Sequence, residues 1–160
     1  MAFVLIYTDG ASRGNPGPGG YGVVLLSPAH GLRKELCGGF RLTTNNRMEL
    51  FAVIVGLEAL KTEGNEVIIY SDSQYVVNAV TKNWVFDWER KNFKGKKNPD
   101  LWQRFLIAYR RQQVRFEWMR GHVGHPENER CDHLATMAAS QPNLPPDEYF
   151  ERQLQRPTNF

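Results

Sequence analysis

Phe3-Val4-Leu5-Ile6-Tyr7-Thr8-Asp9-Gly10 is the stretch that decides the fold. Five apolar residues in a row, rich in β-branched and aromatic types, predict a strand buried on both faces. The strand delivers a carboxylate, Asp9, at its C-terminal end, where Gly10 lets the chain turn away. In open sheets with helical crossovers, that edge collects ligands and chemistry. An Asp closing a strand is also an ordinary turn residue. The weight comes from Ile68-Ile69-Tyr70-Ser71-Asp72, which repeats the design of a buried strand ending in Asp.

Between these strands, Thr43-Thr44-Asn45-Asn46 supplies capping residues for a helix from about Arg47 to Thr62. Its Leu50, Ile54 and Leu57, with Phe51 and Val55, recur at helical spacing and predict packing across a sheet. A crossover helix demands a parallel, right-handed return. The second strand, Glu66–Ser71, therefore lies parallel to the first, with a place directly beside it as one of the positions open to it. Adjacent strands are about 4.8 Å apart, so in that place Asp9 and Asp72 would leave one edge as near neighbours. Carboxylates that close repel, and the remedies are a shared proton or a cation. Glu49 falls in the first turn of the same helix, where an acid also suits the positive helix end.

The flanking segments complete an α/β pattern. Gly14-Asn15-Pro16-Gly17-Pro18-Gly19-Gly20 lacks the Lys-Ser/Thr ending of a phosphate loop and leads into a strand at Tyr21–Leu26, which predicts a wide turn between antiparallel strands. A third strand is expected over Arg33–Phe40, a short helix from Ser73 to Val80, and a helix capped by Asn98 and begun by Pro99. Val114–Trp118 alternates as a fifth strand. His122, His125, Cys131 and His133 could form a zinc set. Pro126 starts a helix, however, and places Cys131 on its inward stripe with Leu134, Ala135 and Ala138. His122 sits in a Gly-flanked loop, and Asp132 borders the apolar stripe, as Glu49 does on its helix. Prolines at 142, 145, 146 and 157 end regular structure, leaving 141–160 as a tail.

With 160 residues, 41% hydrophobic and 23% charged, the chain reads as one soluble domain. No run approaches membrane-spanning length, and the short apolar run at residues 3–7 is neither an anchor nor a signal peptide. Two cysteines give no disulfide framework and suit a reducing cytoplasm. The net charge of +3 is unevenly placed. Residues 82–97 hold six bases and two acids, a local +4 that leaves −1 for the remainder. Trp84, Trp88 and Phe93 are interleaved with those lysines. Phosphates attract cations and bases stack on flat rings, so the segment predicts a nucleic-acid grip, with buried core aromatics as the competing reading.

Taken together, Tyr-Thr-Asp9-Gly, Gly-Asn15-Pro-Gly-Pro-Gly-Gly, Thr-Asn-Asn-Arg-Met-Glu49-Leu, Ser-Asp72-Ser-Gln-Tyr and Gly-His122-Val-Gly-His-Pro-Glu-Asn-Glu-Arg-Cys-Asp132 closely resemble bacterial ribonuclease HI, in order, over about residues 3–140. The resemblance implies an α/β fold with a five-stranded mixed sheet, three strands antiparallel and then two parallel, and helices on both faces. It implies a catalytic domain over 1–140, including a basic protrusion at about 82–98, followed by the 141–160 tail. It implies endonucleolytic cleavage of the RNA strand of an RNA–DNA hybrid with Mg²⁺, leaving 5′-phosphate and 3′-hydroxyl ends. Two ions are expected with substrate, and Mn²⁺ stands as the alternative ion.

By the same resemblance, Asp9 bridges two metals, Glu49 and Asp72 hold the leaving-group metal, and Asp132 holds the metal carrying the attacking water. His122 handles a proton or releases product. Asn15, Asn45 and Gln74 match minor-groove contacts to the hybrid, and Thr44 a contact to a DNA-strand phosphate. Trp84, Trp88, Lys91, Phe93, Lys94, Lys96 and Lys97 fall in the protrusion, which is shorter than the longest family versions and has an acid after Trp88. No separate amino-terminal hybrid-binding domain is expected. The expected partner is the hybrid, met by a cytoplasmic monomer without a membrane. Two rival readings are a hybrid-binding module without catalysis and a DNA-cutting nuclease of the same fold. The four carboxylates argue against the first, and the basic segment with the Thr-Asn-Asn turn against the second.

Overall fold

The apolar run opens β1 (Phe3–Ser12), followed by β2 (Gly17–Ser27) and β3 (Leu32–Thr43), with a 3-10 turn at Pro28–His30 between them. This computed structural model describes residues 2–120 and 124–156. Helix α1 (Asn45–Glu58) leads to β4 (Glu66–Ser71), and three helices follow: α2 (Gln74–Thr81), α3 (Trp84–Arg90) and α4 (Pro99–Tyr109). The chain closes with β5 (Gln113–Trp118), α5 (Pro126–Ala139) and α6 (Glu148–Leu154). The strands form one sheet in the order β3-β2-β1-β4-β5. β1, β2 and β3 pair antiparallel, while β4 pairs parallel with β1 and with β5. The expected three-antiparallel, two-parallel sheet is the one observed.

Strand alternation sorts the core into two layers. Val4, Ile6, Val23, Leu25, Val67 and Ile69 face α1, α2 and α4, where Leu50, Ile54, Val76, Trp102 and Phe105 complete the main core. On the other face Val24 packs with Cys131 and Leu134 of α5, beside Tyr7 and Leu26. Helices therefore cover both faces. Among the described residues, no helix is long and apolar enough to cross a membrane.

Two glycines set how closely the helices approach. A Cβ at Gly10 would lie 2.4 Å from the Glu49 backbone nitrogen, and one at Gly22 would lie 2.3 Å from the Cys131 carbonyl oxygen. Asp9 is paired with Gly22 across β1 and β2. α1 is thus pressed against β1 beside Asp9, and α5 against β2 at the residue paired with Asp9. This corrects the role expected of Gly10: the chain does not turn there, because β1 runs on to Ser12.

Three other expectations are corrected. The first helix spans Asn45–Glu58, so Glu49 lies beyond its first turn and cannot serve as a helix-end charge. Asn98 stands at the N-cap of α4 with φ of 61°, but its side chain makes no capping bond. Pro142, Pro145 and Pro146 do not end regular structure, since α6 forms beyond them, while Pro157 lies outside the described residues.

Candidate metal centre

The parallel register of β1 and β4 ends at Tyr7 opposite Tyr70, so counting two residues onward places Asp9 level with Asp72. β4 stops at Ser71, whereas β1 continues against β2 alone. Asp72 thus leaves the sheet where β1 still has a free side. Ser73 caps α2 by accepting from Val76 N–H at 3.2 Å, which swings the chain away immediately after Asp72. Thr44 caps α1 by accepting from Arg47 N–H at 3.2 Å. One turn further along, Glu49 reaches over Gly10.

A carboxylate oxygen from each of Asp9, Glu49 and Asp72 lies within 4.8 Å of the others. Among the described residues, this is the group of acids, histidines or cysteines arranged to hold a metal ion. Asp9 is 3% and Glu49 5% exposed. The Gly10 N–H donates to Asp9 Oδ1 and to Glu49 Oε1, both at 3.0 Å. Glu49 Oε2 is buried with no hydrogen bond. Burial, then the charges of Asp9 and Asp72, push the Glu49 carboxyl well above the usual range, and the Gly10 N–H only partly opposes this. A buried carboxylate with an unused oxygen beside two acids is an arrangement that a cation relieves.

The trio opens onto a cleft of ≈ 380 Å³, also lined by Asn45, Asn46, Gln74, Tyr75 and Asp132. Asp132 is exposed on α5 at the rim, outside the close trio. A second cleft, ≈ 540 Å³, runs from Asn15, Thr44 and Asn46 to Lys96 and Lys97. Asn46 borders both clefts. The Asn15 side chain accepts from the Asn45 N–H at 3.1 Å and joins the two edges.

In the basic segment Lys91, Lys94, Lys96 and Lys97 are exposed. Trp84 is 43% exposed, with the Lys82 ammonium over its ring at 5.3 Å. Trp88 is half-buried, edge-on to Trp102 at 5.8 Å and covered by Lys96 at 5.3 Å. Phe93 is corrected from the stacking surface to the core, being 5% exposed within the main apolar cluster. Asn92 and Phe93, at φ of 54° and 57°, reverse the chain in the left-handed region and turn that ring inward.

His122 lies outside the described residues. Of the other zinc candidates, Cys131 is fully buried, its thiol pushed up by burial, while His133 is exposed. The buried Arg47, with Asn98, Asp100 and Asp147 around it, was not singled out from the sequence. Its signal was the Arg inside Thr-Asn-Asn-Arg-Met-Glu, a charge on the inward side of a helix.

The family model for RNase H matches residues 1–140. The chain belongs to the ribonuclease H family. The protein named ribonuclease H from Desulforamulus reducens is 58% identical over 149 residues, covering 90% of this chain and 92% of that one. Its counterpart from Rippkaea orientalis is 55% identical over 153 residues, covering 92% of each. Among solved structures, LC9-RNase H1, a type 1 RNase H with the type 2 active-site motif, superposes with a TM-score of 0.77 at 35% identity. That match covers 87% of this chain and 72% of the other. LC11-RNase H1, solved in complex with an RNA/DNA hybrid, gives a TM-score of 0.61 at 27% identity, covering 85% of this chain and 96% of that one. The carboxylate cluster is therefore found in an enzyme of the ribonuclease H family.

Proposed function

We propose that this enzyme hydrolyses the RNA strand of RNA–DNA hybrids endonucleolytically with two Mg²⁺ ions, leaving 5′-phosphate and 3′-hydroxyl ends. The observation that carries this is the convergence of Asp9, Glu49 and Asp72 within 4.8 Å at one sheet end, facing a cleft that Asp132 also lines. The residues fit a hard dication, because every donor is a carboxylate oxygen and Glu49 Oε2 is a buried acceptor without a hydrogen bond. Asp9, Glu49, Asp72 and Asp132 would hold the ions, with Asp9 shared. When bound, the ions supply charge neutralisation at the scissile phosphate and an acidified water.

The chain's own residues place the substrate. Asn45 and Gln74 on the first cleft, with Asn15 on the second, present amide groups to the minor groove, where a 2′-hydroxyl distinguishes RNA from DNA. Thr44, on the second cleft with Lys96 and Lys97, meets a phosphate of the DNA strand. Trp84, Trp88, Lys91 and Lys94 extend that grip along the basic segment. His122 assists proton handling or product release. Residues 1–140 form the catalytic domain, with the protrusion at about 82–98.

Labelled RNA–DNA hybrid, duplex DNA and duplex RNA, each with and without Mg²⁺, test the proposal. Cleavage of the RNA strand of the hybrid alone, and only with Mg²⁺, is expected. Binding without cutting would mark a recognition module, and cutting of duplex DNA would mark a DNA nuclease of the same fold.

A further inference from the structure

Behind the second cleft lies a buried ionic cluster that ties three separate pieces of chain together. Arg47 is 2% exposed, and all five of its N–H groups have acceptors. Nε and Nη2 fork onto Asp147 at 2.7 and 2.9 Å. Nη1 and Nη2 fork onto Asp100 at 2.9 and 2.8 Å, and Nη1 also donates to Asn98 Oδ1 at 3.2 Å. Asp147 Oδ2 accepts a further bond from Thr43 Oγ1 at 2.7 Å. The rings of Tyr149 and Phe150 lie over the guanidinium, 5.6 and 6.0 Å to their centroids.

These partners come from different places. Arg47 belongs to the first turn of α1, Asp100 to the first turn of α4, Asn98 to the end of the basic segment, and Asp147 to the tail just before α6. Asn98 extends the chain of contacts by donating from Nδ2 to Tyr75 Oη at 2.9 Å, and Tyr75 lines the carboxylate cleft. The second cleft lies directly on this cluster. Thr44, Asn46 and Arg47 line it together with Lys96 and Lys97 and with Tyr149, Phe150 and Gln153 of α6. The tail is held from outside as well, by an Arg41–Glu151 fork at 3.0 and 2.8 Å and by the Arg41 N–H on Pro145 O at 2.9 Å.

A phosphate contact is worth most when its donors are already fixed at the right separation. We propose that Asp147 is a positioning residue for substrate binding. Through Arg47 it holds the α1 N-terminal turn and the Lys96–Asn98 end of the basic segment at one separation, so that docking of the tail sets the grip on the strand that is not cut. The proposal rests on the hybrid-cleaving function assigned to the cleft. It assigns Asp147 no contact with substrate and no part in the chemistry.

The test begins with hybrid binding by the intact wild-type protein in EDTA, because failure there overturns the functional reading rather than the role of Asp147. KM, kcat and the salt dependence of hybrid binding are then measured for Asp147→Asn. The amide keeps the shape but turns one acceptor of the fork into a donor facing Arg47. KM should rise about tenfold with kcat within about twofold, as for loss of uniform binding. The log–log salt slope should fall by about 0.7–0.9, one phosphate contact's worth. Val67→Ala, in the core away from both clefts, serves as a control matched in loss of melting temperature. If Asp147 is merely structural, both variants will lose active protein with KM and slope unmoved, which overturns the proposal. Should Asp147→Asn fail to fold, Glu151→Ala loosens the same tail without unpairing Arg47. A KM rise of about twofold or threefold supports the proposal there, and an unchanged KM overturns it.

Discussion

Replacing Glu49 by Gln should stabilise the metal-free protein at neutral pH. The Glu49 carboxylate has oxygen from both Asp9 and Asp72 within 4.8 Å. Two unit charges at that separation repel by about 3.5 kcal/mol at an effective dielectric constant of about 20. The native protein escapes part of this by keeping a proton, which is why the Glu49 carboxyl sits well above its ordinary 4.5, through burial first and its two acidic neighbours second. The remaining penalty grows by about 1.4 kcal/mol for each pH unit above 4.5, until the native carboxyl itself ionises. Glutamine keeps an oxygen for the Gly10 N–H, now 3.0 Å from Glu49 Oε1, and adds donors toward the neighbouring acids. In a chain of this size each such increment corresponds to about 3–6 °C in Tm.

The pH dependence fixes the sign. The native carboxyl binds its proton more tightly than the unfolded one, so wild-type stability falls as pH rises from 4.5 through the raised native value. Below 4.5 both states are protonated and the penalty disappears. Thermal unfolding followed by circular dichroism in EDTA, between about pH 4 and pH 8, should show the two proteins converging in acid and separating above it. Saturating Mg²⁺ should favour wild type over the variant, because an ion bound only by the native state stabilises by mass action. A variant that melts at or below wild type in EDTA at neutral pH, or a gap that persists in acid, would refute the reasoning.

Phe93→Ala should cost about 3–5 kcal/mol of stability in denaturant unfolding, as for a buried aromatic, whereas Trp84→Ala should leave stability within about 0.5 kcal/mol and weaken hybrid binding. Replacing Lys91, Lys94, Lys96 and Lys97 together by Ala should flatten the salt dependence of hybrid binding by about 0.7–0.9 in log–log slope per lost phosphate contact, with turnover at saturation little changed. His122→Ala should lower kcat by about one to three orders of magnitude with an unchanged far-ultraviolet spectrum.

The sheet was legible because period and connection length constrain it from both sides. An apolar run, a crossover helix and a second apolar run leave a parallel neighbour as the economical arrangement, and Asp9 and Asp72 follow two residues beyond the last paired tyrosines. Glu49 was legible as a residue but not as a geometry, since its approach depends on the missing Cβ of Gly10. Phe93 was misplaced because interleaving with lysines says nothing about which way a left-handed turn throws a ring. Asp147 and Arg47 were not paired, being 100 residues apart with no periodic pattern to join them. Prolines around residues 145 and 146 hid α6, whose docking depends on Arg41 and Arg47 rather than on local propensity.

Single-turnover cleavage of a labelled RNA–DNA hybrid by wild type and Asp9→Asn, at matched occupancy and with Mg²⁺ present, tests the central claim most directly. Wild type should cut the RNA strand to 5′-phosphate and 3′-hydroxyl products. Asp9→Asn should bind the hybrid about as tightly yet cut it at least about a thousandfold more slowly, because the carboxylate proposed to be shared by both ions is gone. Cleavage by Asp9→Asn within about tenfold of wild type would contradict the account.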